Sequence, residues 1–540
     1  MPPLSVLIWV PAACGLLGAL TTLAPAGSAA RRGREIPAAL ALIGSLAAFG
    51  LAVGYIVEYK SGSQTGTSIQ TLSHVTNVTW IASLGIHYKL GIDGLNVLLI
   101  GMASLVFAVA ILASVLRRPE DGVMDRPGLY YLFFMVAESA VLGAFLAQDL
   151  ALFVAFFDLM LIPFYFLTGM WGRGERRARI RATIKLVIYT LVGSLLMLAA
   201  AIATGVLASQ QHGTHLTFVL SSLQQLRLST GSQEWIFLFF AAAFLVKMPA
   251  FPLHGWMPDG YKGMPMEVLM VFSGVLSKVG AYGFLAIVLP LFPQASVHFQ
   301  MLMLVIALVS IIYGSVLAFS QTDARLIAGY SSIAQLGFIT LGIFALDPQG
   351  AQGALLQMVN HGLVVAPLLF IVLLLSRRAG GSEDIRNMGG LAFRAPVLAT
   401  LFLIVALATL AMPGSANFVG EFLILLGVFK SKLVIAILGF TGVVTASVYA
   451  LRLFIRAMHN RQGSEATSTE ISLRDGIVLV PLIAAILFLA LYPQPALKRS
   501  ERSTAAAVAG SRALTTSTKL ASAPASATVS LSHPSSGTSR

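Results

Sequence analysis

Seven ionisable residues stand inside long apolar runs: Glu138, Asp158, Lys185, Lys247, Lys278, His361 and Glu421. A charge at mid-bilayer costs at least about 2.5–3.5 kcal/mol, so such groups face partners or water and mark a pathway. Carboxylate, amine and imidazole are the side chains that exchange protons. A free lysine, with a pKa of about 10.4, holds its proton too tightly to pass it on at neutral pH. Burial loosens that hold and a nearby carboxylate restores it. A lysine–carboxylate pair that opens and closes is therefore a proton switch, and histidine and further glutamates extend it into a relay. Structural readings compete at each position. Lys185 lies one turn beyond Arg181 and can snorkel. Asp158, Lys247, Lys278 and Glu421 can form ion pairs between helices, and His361 can be a hydrogen-bonded core histidine. His212 and His215 in "HGTH" have a metal-ligand spacing but lie in a polar loop, and read as solvated.

Two of these residues sit beside helix breakers. Lys247 is followed at once by Pro249 and Pro252 in "KMPAFP", and Glu421 follows Pro413 and Gly414 in "LAMPGSANFVGEF". Proline removes a backbone hydrogen bond and clashes with the preceding turn. Non-helical backbone at membrane depth persists only inside protein or beside a water-filled cavity.

The elements that must position these groups follow from composition. The chain has 540 residues, of which 57% are hydrophobic and 11% charged, far below the roughly 25% charge of a soluble protein. The expected fold class is an all-α polytopic membrane protein of about fourteen spans: 4–24, 36–58, 92–116, 128–147, 149–170, 178–206, 235–257, 265–290, 300–320, 324–345, 352–375, 398–429, 432–458 and 474–495. The first is read as a retained span, because Arg31, Arg32 and Arg34 follow its apolar run, whereas a signal peptide places its positive charge before it. Cys14 is the sole cysteine, which excludes an intrachain disulfide and a thiolate metal cluster. The net charge of +13 resides largely in short loops, a topology signal rather than a nucleic-acid surface. The odd-numbered loops hold most of the Lys and Arg, which places them in the cytoplasm and both termini on the outer face.

The breaks fall in the seventh and twelfth spans, five spans apart. Interrupted helices at matching positions mark repeated transporter architecture. Five is odd, so the expected organisation is N-terminal helices 1–3 (1–127), a five-helix repeat (128–290), a second, inverted repeat (300–458), helix 14 (474–495) and a low-complexity tail (498–540) with no long helix.

The stretches "FFDLMLIPFYFLTGMWG", "KLVIYTLVGSLLML", "VKMPAFPLHGWMPD", "YGSVLAFSQTDARLIAGYSS", "GALLQMVNHGL" and "ATLAMPGSANFVGEFLIL" resemble the antiporter-like subunits of respiratory complex I, the NADH:quinone oxidoreductase, and among them the M type. The resemblance spans roughly residues 90 to 495. It implies a proton-translocating membrane-arm subunit of the plasma (inner) membrane. Asp158 would pair with Lys247, Lys185 would modulate that pair, Lys278 would be the central lysine, and His361 and Glu421 would complete the relay. Glu421 separates the M type from the L and N types and from Mrp-type antiporters, which resemble one another in having lysine there. Subunits L and N are the implied neighbours. The chain has no nucleotide-binding glycine loop, flavin motif or iron–sulfur cysteine set, so flavin, iron–sulfur clusters and quinone are expected in partner subunits.

Three departures from the family pattern bear on the relay. Phe157-Asp158 stands where Trp-Glu is usual, so the carboxylate is one bond, about 1.5 Å, shorter. Glu138, one span earlier, is a candidate second carboxylate for Lys247. Gly260-Tyr261 replaces Ala-His, and Gln335 replaces a histidine that would link Lys278 to His361. The alternatives of another class are an Mrp-type sodium/proton antiporter subunit, the membrane subunit of an energy-converting hydrogenase, and a scaffold whose buried charges are structural.

Overall fold

A backbone crossing lipid must satisfy its polar groups internally, and apolar runs of this length do so as helices. The computed structural model describes residues 1–22, 32–60, 72–117, 124–461, 463, 466, 467 and 469–522. Helices α1 (Leu4–Thr21) and α2 (Arg32–Glu58) are followed by a two-stranded antiparallel hairpin, β1 (Ser73–Ile81) and β2 (Ile86–Ile92). Then come α3 (Val97–Val115), α4 (Pro127–Leu146), α5 (Leu150–Leu159), α6 (Leu161–Trp171), α7 (Arg176–His212), α8 (Thr230–Lys247) and α9 (Met257–Gly263). Met266–Leu291 forms α10, which contains π-turns over Phe272–Leu276 and Phe284–Val288. The remainder is α11 (Gln300–Ser320), α12 (Ala324–Ile343), α13 (Pro348–Arg378), α14 (Pro396–Thr409), α15 (Ala416–Ser431), α16 (Leu433–Met458), α17 (Leu473–Leu491) and α18 (Gln494–Ser522).

Among the described residues, 12 helices are long and apolar enough to cross a membrane, against about fourteen expected. The two that fall short are the seventh and twelfth spans. In one, α8 stops at Lys247 and α9 starts at Met257; in the other, α14 stops at Thr409 and α15 starts at Ala416. The fifth span is also divided, at Met160 between α5 and α6, a break the sequence reading did not anticipate.

The backbone groups freed at the breaks find partners, as buried polar groups must. Trp256 Nε1 donates to the Val246 carbonyl at 3.1 Å, and Ser310 Oγ of α11 accepts the Phe251 N–H at 3.0 Å. At the second break Ala411 and Gly414 take positive φ of 53° and 92°, and Asn360 Nδ2 of α13 donates to the Ala416 carbonyl at 2.6 Å.

Helices α10, α12 and α13 form the centre. The apolar core of α10 is wholly buried and those of α12 and α13 are 94% buried, whereas α2, α16 and α17 bury a third of theirs. Small residues let the central backbones touch. A Cβ on Gly362 of α13 would stand 2.6 Å from the Gly274 carbonyl in the first π-turn of α10. A Cβ on Gly353 would stand 2.6 Å from the Ile424 amide of α15.

The mostly helical polytopic fold is as expected, and a β1–β2 hairpin occupies the loop between the second and third spans. Its β-branched and aromatic residues suit a strand, and Gln148 N–H, at the α4–α5 turn, donates to the Lys89 carbonyl and covers an edge. One expectation is corrected: the segment after residue 498, read as a low-complexity tail with no long helix, is helical as far as Ser522. Its small residues recur every three or four positions, so Ala496, Ser500, Thr504, Val508 and Ser511 form one buried helical stripe. The low-complexity composition concealed a packing face. Residues 523–540 lie outside the described residues.

Candidate functional site

The end of α8 presents Lys247, 6% exposed, among apolar side chains. Its ammonium lies over the Phe157 ring, 4.7 Å from the centroid, a cation–π contact. Asp158 is on the next position of α5, half-buried, within electrostatic reach of Lys247 and facing Ser194 of α7. No ion pair joins Asp158 and Lys247 among the described residues, and Asp158 Oδ1 has no hydrogen-bond partner. The shorter side chain stops at Ser194 while its neighbour Phe157 receives the lysine.

Glu138 is elsewhere. It is fully buried in α4 and accepts Ser45 Oγ of α2 at 2.9 Å. Its electrostatic neighbour is Cys14 of α1, whereas Asp158 is the carboxylate within electrostatic reach of Lys247 among the described residues. The expectation that Glu138 could replace Asp158 as the partner of Lys247 is therefore not met by the geometry. Lys185, part-exposed in α7, bonds Asp259 of α9 at 2.8 Å. It contacts the far side of the α8–α9 break rather than the Asp158 carboxylate. His212 and His215 are exposed, as anticipated.

Lys278 is fully buried between the two π-turns of α10. Its Nζ donates to the Ser273 carbonyl at 2.6 Å and to Ser277 Oγ at 3.2 Å. A π-turn widens the helix and shifts its carbonyls, a device common at functional sites; here it gives the lysine a backbone acceptor five residues back. The Gly274–Gly362 contact brings this turn against α13 beside His361. His361 is buried, within electrostatic reach of Lys278, and its Nδ1 has no hydrogen-bond partner.

One turn before His361, Gln357 begins a chain of amides. Gln357 Nε2 donates to Gln335 Oε1 of α12 at 2.7 Å, and Gln335 Nε2 donates to Glu421 Oε1 of α15 at 2.8 Å. Glu421 is 2% exposed, and its other oxygen has no hydrogen-bond partner. The sequence reading placed Gln335 as a gap between Lys278 and His361. Those two are already neighbours, and Gln335 instead contacts the last carboxylate. Gln357 and Asn360 were missed because neither titrates, although "QMVNH" sets polar residues one turn apart in an apolar helix.

Asp158 thus lies within electrostatic reach of Lys247 and His361 within that of Lys278, while two amides reach Glu421; these residues stand on α5, α8, α10, α13, α12 and α15. The family model described as NADH:quinone oxidoreductase/Mrp antiporter, TM matches residues 147–448. NADH-quinone oxidoreductase subunit M of Escherichia coli K12 is 37% identical over 429 residues, covering 78% of this chain and 83% of that protein. The chain belongs to the NADH-quinone oxidoreductase subunit M family. The subunit M of Rickettsia typhi is 33% identical over 462 residues, covering 84% of this chain and 89% of that one. A chain of the solved respiratory complex I from Thermus thermophilus with bound NADH superposes with a TM-score of 0.81 at 29% identity, covering 95% of this chain and 99% of that chain. A chain of the Mrp complex from Dietzia superposes with a TM-score of 0.76 over 94% and 98% of the two chains, but at 19% identity, a likeness of fold alone.

Proposed function

We propose that this membrane-arm subunit M carries protons through the membrane along Asp158, Lys247, Lys278, His361 and Glu421, driven by quinone reduction elsewhere in an NADH:quinone oxidoreductase. The observation that carries the reading is the buried line from Lys278 to Glu421. Lysine, imidazole, two amides and a carboxylate follow one another at helix crossings, and the line includes polar atoms without protein partners. Buried polar atoms of that kind take water, and water joins titratable groups that do not touch. The two amides do not titrate; they orient Glu421 and the water beside it.

Lys185 acts on the switch indirectly in this scheme. Pairing with Asp259, it fixes the start of α9 and hence the geometry of the break. Glu138 is a separate protonatable group whose role is confined to the α1–α2–α4 cluster. Residues 128–290 and 300–458 would be the two inverted units, each with one interrupted span. Flavin, iron–sulfur clusters and quinone would lie in partner subunits, with L-type and N-type subunits as the lateral neighbours. The arginine-rich loops would face the cytoplasm across the plasma membrane, with both termini outside. An Mrp-type setting shares the fold, but the subunit M relatives match at far higher identity and the terminal group here is a carboxylate.

The test is made on the assembled complex in vesicles. Lys278→Ala should assemble, yet lose at least about 10-fold in proton pumping. Glu421→Gln, which keeps size and hydrogen bonding, should do the same. Assembled variants of both that pump at the wild-type ratio and rate would leave the buried charges as scaffold.

A further inference from the structure

Tyr261 is a buried tyrosine in the short helix α9, beyond the first break, and the relay above does not use it. It is 2% exposed, and its ring packs against Gly329 of α12, where an added Cβ would stand 3.0 Å from Tyr261 Cδ1. Arg325 fixes its backbone, donating from Nη1 to the Tyr261 carbonyl at 2.9 Å and to the Met264 carbonyl at 2.7 Å. Its hydroxyl faces the side chains of Ser273 of α10 and Ser332 of α12. Those two serines are 3.3 Å apart. Ser273 belongs to the π-turn whose carbonyl holds Lys278 Nζ, and the hydroxyl of Ser277 is 3.2 Å from the same nitrogen. On either side of Tyr261 in the chain, Asp259, Lys262 and Gly263 line a cleft of about 200 Å³ on the arginine-rich face.

We propose that the hydroxyls of Tyr261, Ser332 and Ser273 form the proton access from the arginine-rich face to Lys278. Apolar packing would serve equally well with phenylalanine and alanine at these positions, since the ring contacts do not need the oxygens. Three hydroxyls from three helices instead gather at the π-turn whose Ser273 carbonyl holds the lysine. Each can accept one proton and release another, so it is neutral before and after. The net change is one proton taken up at the cleft and one added to unprotonated Lys278, converting its amine to ammonium. Ser332 points its own proton at the Ala328 carbonyl, 2.9 Å away, so it stands as an acceptor for the Tyr261 hydroxyl. A half-turn of the Ser332 hydroxyl then passes the proton on.

The inference rests on Lys278 carrying protons, and the test separates the two. The intact complex is reconstituted in vesicles and driven by NADH and a soluble quinone. Proton uptake is then compared for Tyr261→Phe, Tyr261→His, Ser332→Ala and Lys278→Ala, in H2O and D2O. Tyr261→Phe keeps the ring and removes the hydroxyl. It should assemble, slow pumping by about 10-fold, and raise the solvent isotope effect. Tyr261→His, with a group able to carry a proton, should recover part of the rate. Ser332→Ala should slow pumping in the same sense, and it serves where the tyrosine variants assemble poorly. If Lys278→Ala abolishes pumping while Tyr261→Phe and Ser332→Ala keep the wild-type rate and isotope effect, the hydroxyl route is wrong and the relay stands. If Lys278→Ala pumps normally, the relay itself falls and the route to it falls too.

Discussion

The proposed switch turns on one bond length at Asp158. The carboxylate faces Ser194 and makes no ion pair with Lys247, whose ammonium rests on the Phe157 ring 4.7 Å away. Closing the pair with aspartate requires α5 and α8 to approach or a water to bridge them; a glutamate would span more of the gap alone. Asp158→Glu should therefore assemble and pump at or near the wild-type rate, with the ion pair formed more of the time. Asp158→Asn keeps a polar group facing Ser194 and removes the charge, so pumping should fall by about 10-fold or more. Proton uptake by the assembled complex decides between these outcomes; an Asn variant at full rate would show that the carboxylate is not the switch. The titratable members were legible in the sequence because a charge in an apolar run is costly and stands out from its neighbours. Their partners were not. Ser194, Gln357 and Asn360 are ordinary polar residues until the helix crossings decide what they face.

At the scale of elements, the breaks were legible and the contacts that hold them were not. Proline and glycine announce where α8 and α14 stop. Nothing local announces that Arg325, 1% exposed at the start of α12, reaches the carbonyls on either side of the gap between α9 and α10. The same guanidinium grips Glu383, with Nε–Oε2 at 2.9 Å and Nη2–Oε1 at 2.7 Å, and Arg173 adds a third bond at 2.5 Å. Burial pushes the Glu383 carboxyl upward, but Arg325 and Arg173 more than offset this and hold it below the usual carboxylate range. A depressed carboxylate contributes stability that is present above its unfolded pKa of about 4.3 and is lost as pH falls through the folded value. The clamp should therefore hold at neutral pH and release only in acid. Glu383→Ala leaves a buried guanidinium without its carboxylate, a change that costs about 3–5 kcal/mol. The expected result is a lower thermal midpoint for loss of this subunit from the solubilised complex at pH 7, with the difference from wild type shrinking below about pH 4. An unchanged midpoint at pH 7 would show that the cluster does not hold the break.

Across the whole molecule, this clamp has a counterpart on the opposite face. Helix α18 crosses the far ends of helices that are distant in sequence. Arg499 Nε donates to the Ile56 carbonyl of α2 at 3.2 Å, and Ser503 Oγ accepts the Gly94 N–H before α3 at 3.1 Å. Gln352 Nε2 of α13 donates to the Leu497 carbonyl at 2.9 Å, and Gly510 packs on Pro293 just beyond α10. The buried stripe is alanine, serine, threonine and one valine, so little apolar area is at stake. Three hydrogen bonds at about 0.5–1.5 kcal/mol each set the scale of what the strap contributes. Strap and clamp hold the two ends of α10, and the strap also holds the start of α13. The middles of these helices, with the π-turns, the Gly274–Gly362 contact and the Lys278–His361 pair, are left as the part of the core where a small shift alters which groups touch. Truncation after Pro493 should leave the spans inserted, because each is apolar enough without α18. It should lower the thermal midpoint by less than Glu383→Ala does, and slow pumping without abolishing it, because the relay residues keep their immediate neighbours. Midpoint and proton uptake measured on the same truncated complex test this together. A truncated complex with wild-type values for both would show that α18 rests on the fold without bracing it.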